Sequence, residues 1–253
     1  MKITFLGTGT SQGIPVIACE CAVCSSVDFK NQRLRSSILI EKDNTTLVVD
    51  TGPDFRQQML LNRVKQLDAV LFTHEHKDHV AGLDDIRSFN FKQKMDMPIY
   101  ARPSVIDRLK EEFSYVFADT KYPGVPTVEV HPIQNQPFTI NGVDIEPVEV
   151  MHFQLPVYGF KIGSFAYITD AKTIADEEKE KLKGLDVLVL NALQIKEHIS
   201  HFTLSEALAL VNELKPKKAF FTHISHYLGL HQEVQKTLPP HVSLAFDGQS
   251  FYC

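Results

Sequence analysis

Positive charge is in short supply in this chain. Its 253 residues hold 26 Lys and Arg against 31 Asp and Glu, a formal net charge of −5. Surfaces that bind nucleic acid in general are basic, so nucleic acid is not an expected partner. A small anion held by metal ions stays within reach of such a balance. Long apolar runs are missing as well, and no stretch approaches the about 20 residues of a membrane span. The apolar start at residues 1–6 is cut by Gly7 too early for a signal peptide. Together these absences make a soluble, cytoplasmic protein with no membrane partner the expectation. Cysteine is scarce: three of the four residues crowd together as Cys19-x-Cys21-x-x-Cys24, and the other is Cys253. In a cytosolic protein such crowding favours a metal knot over a disulfide framework, and Cys253 reads as an incidental thiol. Internal repeats, low-complexity segments and linkers are absent too. With 43% hydrophobic residues, residues 1–253 read as one sizeable α/β domain.

Short apolar runs predict strands at 2–6, 37–41, 46–50, 68–72, 98–101, 143–150, 158–162, 165–169, 186–190, 218–222 and 242–245. Asp43-Asn44 between two of them reads as a hairpin turn. Helices are predicted at 54–65, at 104–113 behind a Ser cap, at 175–182 as a charged and exposed segment, and at 203–214. The last has Thr203 at the cap and Glu206 three residues on, and Pro216 ends it. Residues 115–140, rich in Pro and turn formers, read as a loop or lid over an active-site edge. Strands first in hairpins and then alternating with helices predict two sheets with helices outside.

The densest chemistry sits in Thr73-His74-Glu75-His76-Lys77-Asp78-His79, directly after the apolar run Asp68-Ala69-Val70-Leu71-Phe72. Burying that many polar side chains costs several kcal/mol unless partners satisfy them. A divalent metal suits neutral imidazole and carboxylate together. Further candidates follow singly at predicted strand ends: His152, Asp170 and His223.

The order His-x-His-x-Asp-His, then His, Asp and His, resembles the metallo-β-lactamase-fold hydrolases, and the resemblance spans essentially the whole chain. It implies an α/β fold, the four-layer αββα sandwich, with metals at one edge between the sheets. It also implies a dinuclear site: His74, His76 and His152 on one ion, Asp78, His79 and His223 on the other, and Asp170 bridging. Such a pair activates a hydroxide and suits phosphodiesters. Zinc, manganese or iron would fit a mixed His/carboxylate shell. The catalytic candidates are His201 and Asp78. His201, in His198-Ile199-Ser200-His201-Phe202-Thr203, is similar to the general acid of phosphodiesterase branches, with His198 as its rival. Asp50, in Val48-Val49-Asp50-Thr51-Gly52, falls in another family-like motif and is expected to orient site residues, to form a strand-end turn, or both.

Zinc takes four ligands, and Cys19, Cys21 and Cys24 supply three. His226, in His223-Ile224-Ser225-His226, is the expected fourth, which would make a structural zinc. The combination resembles the PhnP-like group, whose named activity is phosphoribosyl cyclic phosphodiesterase, with PqqB as a near relative. A metal-dependent phosphodiesterase acting on a small, cyclic phosphodiester is the implied function. Transfer RNA 3′ processing, lactonase or thioesterase chemistry, and a non-catalytic PqqB-like metal-binding pathway factor are the alternatives. A homodimer is allowed. Arg35, Lys77 and Arg87 are candidate phosphate contacts, although surface charge is their commoner role. The opening Gly7-Thr8-Gly9-Thr10-Ser11-Gln12-Gly13 lacks the dinucleotide spacing and reads as a tight loop near the active-site edge.

Overall fold

The computed structural model describes residues 1–120 and 122–253. The first half of the chain builds one sheet. Strands β1 (Lys2–Gly7), β2 (Ser37–Lys42) and β3 (Thr45–Val49) pair antiparallel, and β4 (Ala69–Leu71), β5 (Met97–Ala101) and β6 (Val128–Pro132) add in parallel. The second half follows the same plan. Strands β7 (Phe138–Ile140), β8 (Val143–His152), β9 (Leu155–Ile162) and β10 (Phe165–Ile168) pair antiparallel, and β11 (Val187–Asn191), β12 (Lys218–Thr222) and β13 (Val242–Leu244) continue in parallel. The final strand, β14 (Ser250–Tyr252), crosses back to pair with β1.

Apolar alternation explains how the sheets meet. Ile3, Phe5, Ile38, Ile40, Leu47 and Val49 from the first sheet pack against Ile145, Phe160, Phe165, Tyr167, Val187 and Val189 from the second. Their neighbours in sequence face outward, so both faces of each sheet are covered and the central strands read as near-continuous apolar runs. Leu39, Val48, Val70 and Ile99 pack under α1 (Phe55–Leu61) and α4 (Pro103–Glu112), with the short helices α2 (Lys77–Val80) and α3 (Arg87–Gln93) between them and α5 (Ser114–Phe117) after. Leu188, Leu190, Ala219 and Phe221 pack under α7 (Leu204–Leu214). Helix, sheet, sheet and helix give the four layers. Among the described residues no helix is long and apolar enough to cross a membrane.

Local chemistry sets the element ends. Asp43 and Asn44 take φ of 49° and 66°, as a two-residue hairpin turn of left-handed residues requires. At the start of α7, Thr203 and Glu206 form a reciprocal capping box.

Two expectations need correction. Residues 115–140 are not loop throughout: they carry the edge strands β6 and β7 of the two sheets, at 128–132 and 138–140, and Lys121 lies outside the described residues. An edge strand tolerates Pro132, because an outer position does not need every backbone N–H. The segment at 175–182 is not simply exposed. Its helix, α6 (Asp176–Lys181), turns Glu178 inward, where the carboxylate accepts from Asn135 Nδ2 (2.6 Å) and the Glu149 backbone N–H (2.8 Å), and Leu182 is buried. Strand β14 was not anticipated, since Ser250-Phe251-Tyr252 is too short to show a period.

Candidate metal centre

The sandwich brings strand ends together at one edge. Asp50 follows β3, His74 to His79 follow β4, His152 ends β8, Asp170 follows β10 and His223 follows β12. Asp50, Asp170 and His223 adopt left-handed backbone angles of 67°, 56° and 54°. Such strain persists where a site requires it. Gly52 is needed for a separate reason: a Cβ there would stand 2.1 Å from the Asp78 carbonyl oxygen. The motif loop therefore seats directly on the turn after Asp50.

Asp50 orients two of the histidines. Its carboxylate accepts from the Thr73 backbone N–H (2.8 Å), from Thr73 Oγ1 (2.8 Å) and from His79 Nδ1 (2.7 Å). Thr73 Oγ1, having given its proton to Asp50, accepts from His74 Nδ1 at 2.9 Å. Both imidazoles thus keep the Nδ1 proton and turn an Nε2 lone pair inward. His152 is fixed likewise, its Nδ1 donating to the Ser200 carbonyl at 2.8 Å. Holding the far nitrogen in this way is how metal-binding histidines are oriented.

The inward atoms converge. His74 Nε2 lies 3.0 Å from His76 Nδ1, and the His152 ring centroid is 5.8 and 5.1 Å from those of His74 and His76. His79 Nε2 faces Asp78 Oδ2 at 3.1 Å and Asp170 Oδ2 at 3.3 Å, yet it is buried without a hydrogen-bond partner. A lone pair between two carboxylate oxygens calls for a cation. His223 Nδ1 is 3.2 Å from Asp170 Oδ2, while its Nε2 is 3.2 Å from Thr10 Oγ1 in the glycine loop. Ligand atoms of Asp78, His79, Asp170 and His223 lie within 4.8 Å of one another. His152, Asp170 and His201 form a second group of that span, so His201 stands closer to the ligand set than a distant acid would. The Asp78, His79, Asp170 and His223 donors fit a divalent ion, while His74 and His76 fall in neither group.

Electrostatics agree with this chemistry. Burial pushes His74 well below the usual imidazole range, aided by repulsion from His79. Burial opposes the charged form of His79, but Asp78, Asp170 and Asp50 together hold it well above that range, so these carboxylates favour positive charge at Nε2, whether a proton or a metal ion. Asp78 and Asp170 are held low despite burial, by His79 for the first and chiefly His223 for the second. Burial drives His201 down to about 3, against the pull of Asp170. Its Nδ1 is 3.8 Å from Asp170 Oδ1 and has no hydrogen-bond partner. The rival His198 is tied within its own loop, its Nδ1 accepting from the Ser200 N–H at 3.3 Å.

The cysteine cluster closes on His226. Sγ of Cys19, Cys21 and Cys24 lie 3.3, 3.5 and 3.4 Å from His226 Nδ1. Ligand atoms around a tetrahedral zinc, at about 2.3 Å for sulfur and about 2.0 Å for nitrogen, stand about 3.5 Å apart. The Cys24 N–H helps lower Cys21 to about 6, while burial raises Cys24 to about 11. The three candidate phosphate contacts are occupied elsewhere: Arg35 pairs with Asp54 (3.1 Å), Lys77 with Glu112 (2.7 Å) and Arg87 with Asp84 (2.9 Å). Sequence reasoning did not find Thr73, Ser200 or Thr10, whose only signal is adjacency to a ligand or to the glycine loop.

The family model described as a Beta-lactamase superfamily domain matches residues 45–224, which hold every candidate ligand of the dinuclear site. The chain belongs to the metallo-β-lactamase superfamily. Within that superfamily it is similar to a crystallised diphosphatase of the PhnP family, at 40% identity and a TM-score of 0.93, covering 100% of this chain and 97% of that one. It is 31% identical over 238 residues to coenzyme PQQ synthesis protein B of Methylorubrum extorquens, across 78% of this chain and 74% of that protein. It is also 41% identical over 251 residues to a protein named octanoyltransferase from Porphyromonas gingivalis. That alignment takes in 98% of this metallo-β-lactamase-fold chain but only 51% of the longer protein.

Proposed function

We propose that this hydrolase is a metal-dependent phosphodiesterase acting on a small, cyclic phosphodiester. The carrying observation is the buried His79 Nε2, unpartnered between Asp78 and Asp170, in a ring of imidazoles at one sandwich edge. Zinc or manganese, with iron also suited to these donors, would be held by His74, His76 and His152 on one side and by Asp78, His79 and His223 on the other, with Asp170 between. When bound, two such ions supply Lewis acidity that activates water and neutralises charge on phosphoryl oxygens.

The chain's own residues do the rest. Asp50, Thr73 and the Ser200 carbonyl lock the imidazoles so that little reorganisation accompanies the reaction. His201 gives a proton to the departing oxygen. Its imidazole is neutral in the resting protein, and an arriving phosphodiester anion stabilises the protonated ring, so His201 takes up its proton with the substrate. At the other end of the edge, Cys19, Cys21, Cys24 and His226 hold a structural zinc that ties the N-terminal loop to the segment carrying His223. Similarity to a PhnP-family diphosphatase supports chemistry at phosphorus. The octanoyltransferase name belongs to a protein about twice as long, whose unmatched half can account for it.

Hydrolysis of bis(p-nitrophenyl) phosphate by protein loaded with zinc or manganese tests the reading. Turnover that a chelator abolishes and metal restores is expected. Metal-loaded protein with no turnover on any divalent ion favours a non-catalytic pathway factor, the reading that similarity to coenzyme PQQ synthesis protein B supports. A screen of cyclic ribose phosphates and cyclic nucleotides then fixes the substrate.

A further inference from the structure

Beside the ligand histidines lies an open cleft of about 520 Å³ that His76 and His152 help to line. One wall is the two-residue turn Phe153-Gln154 joining β8 to β9, across which His152 pairs with Leu155. The other is the loop at Ile199 and Ser200, tied to the first by the bond from His152 to the Ser200 carbonyl. Phe153 is 52% exposed and Ile199 is 67% exposed. Two large apolar side chains left in water beside a polar centre gain free energy from any apolar group that covers them.

The backbone adds an independent observation. Phe153 adopts a φ of 56°. A positive φ at the first central position of a tight hairpin is where glycine fits best. An aromatic residue held there is strained, and such strain collects at ligand clamps. Turn geometry alone therefore does not explain Phe153.

We propose that Phe153 and Ile199 are the jaws of a subsite for a flat aromatic group of the substrate, a nucleobase carried by the phosphodiester. The inference rests on the phosphodiesterase reading above. A phosphorus centre held against His76 and His152 directs the organic part of the ester into this cleft. Phe153 offers a π face, Ile199 an apolar cover, and the exposed Gln154 amide both a donor and an acceptor for a base edge. Stacking on an aromatic ring tolerates every base. The subsite thus separates nucleotides from bare sugar phosphates rather than one base from another. Its volume falls in the range of about 300–1,000 Å³ common to small-molecule sites.

The test is Phe153→Gly, which keeps the turn and relieves its backbone. Its Tm should equal or exceed that of the wild type. Its ratio of kcat/KM for adenosine 2′,3′-cyclic phosphate to that for base-free ribose 2,3-cyclic phosphate should fall about tenfold, through KM. An unchanged ratio overturns the inference, and a lowered Tm with that ratio marks the ring as a packing element. Calorimetric binding of adenosine 2′,3′-cyclic phosphate separates this inference from the reading beneath it. A Kd about tenfold weaker in F153G supports the subsite even where neither compound is turned over, and equal Kd values overturn it.

Discussion

His201 and His198 sit three positions apart and differ in what holds them. His198 is bonded inside its loop, whereas His201 leaves a buried nitrogen free beside Asp170. Replacing His201 by Ala should cut turnover of bis(p-nitrophenyl) phosphate about 10²- to 10⁴-fold and leave metal content as in the wild type. Full activity would remove it from the mechanism, and a lost equivalent of metal would make it a ligand. Another buried histidine contributes to acid stability. His231 Nδ1 accepts from Arg33 Nη2 at 3.1 Å, and burial with the Arg33 charge lowers His231 to about 4. The folded state thus prefers neutral His231. It contributes stability above the unfolded value of about 6.5 that is lost as pH falls toward 4. Asp247, which burial raises to about 6, acts with the opposite sign: its contribution fades as pH rises through 6. The His231→Asn variant isolates the first effect. Its Tm relative to wild type should rise as pH drops from 6.5 to 4, and a constant difference would contradict the assignment. His74, His76, Asp78 and His79 could be singled out from sequence as candidate ligands because their chemistry is crowded into one loop. Thr73 and Ser200 could not, because a hydroxyl or carbonyl acquires its role only when the fold delivers an imidazole to it. Arg33 escaped for the same reason.

Elements differ in how plainly the chain announces them. Helix α7 was legible to the residue at its start, because Thr203 and Glu206 stop the helix by local bonds that need no tertiary partner. Strands β6, β7 and β14 were hidden. Each is short and forms a sheet edge, where one outward face stays polar, so its pattern resembles a loop. The Cys19 to Cys24 loop is the opposite case: its spacing is clear, but only the fold brings His226 to it across more than 200 positions. Cys21 is exposed and makes no core contact to lose. Cys21→Ser should therefore reveal the metal rather than packing: one zinc equivalent lost by elemental analysis, with a lowered Tm that added zinc does not restore. Unchanged zinc content would refute the structural site.

At the scale of the whole molecule, two sheets built on the same plan place five strand ends on one edge. The buried inner faces fix the register, and that register brings the candidate ligands to one edge. The four-layer architecture was legible from the order of hairpins and alternating helices together with the family-like motif. The mutual closeness of the candidate ligands was not, since strand pairing such as β11 between β10 and β12 is decided by packing across the full chain. In the proposed centre seven side chains, His74, His76, Asp78, His79, His152, Asp170 and His223, grip two cations. Elemental analysis of zinc-loaded, dialysed protein, side by side with Asp170→Asn, tests this directly. Three equivalents per chain are expected for the wild type, two at the sandwich edge and one at the cysteine cluster, with the edge pair diminished and the cysteine-bound zinc kept in D170N. A wild type that retains one equivalent or none, or a D170N protein indistinguishable from it, would contradict the account.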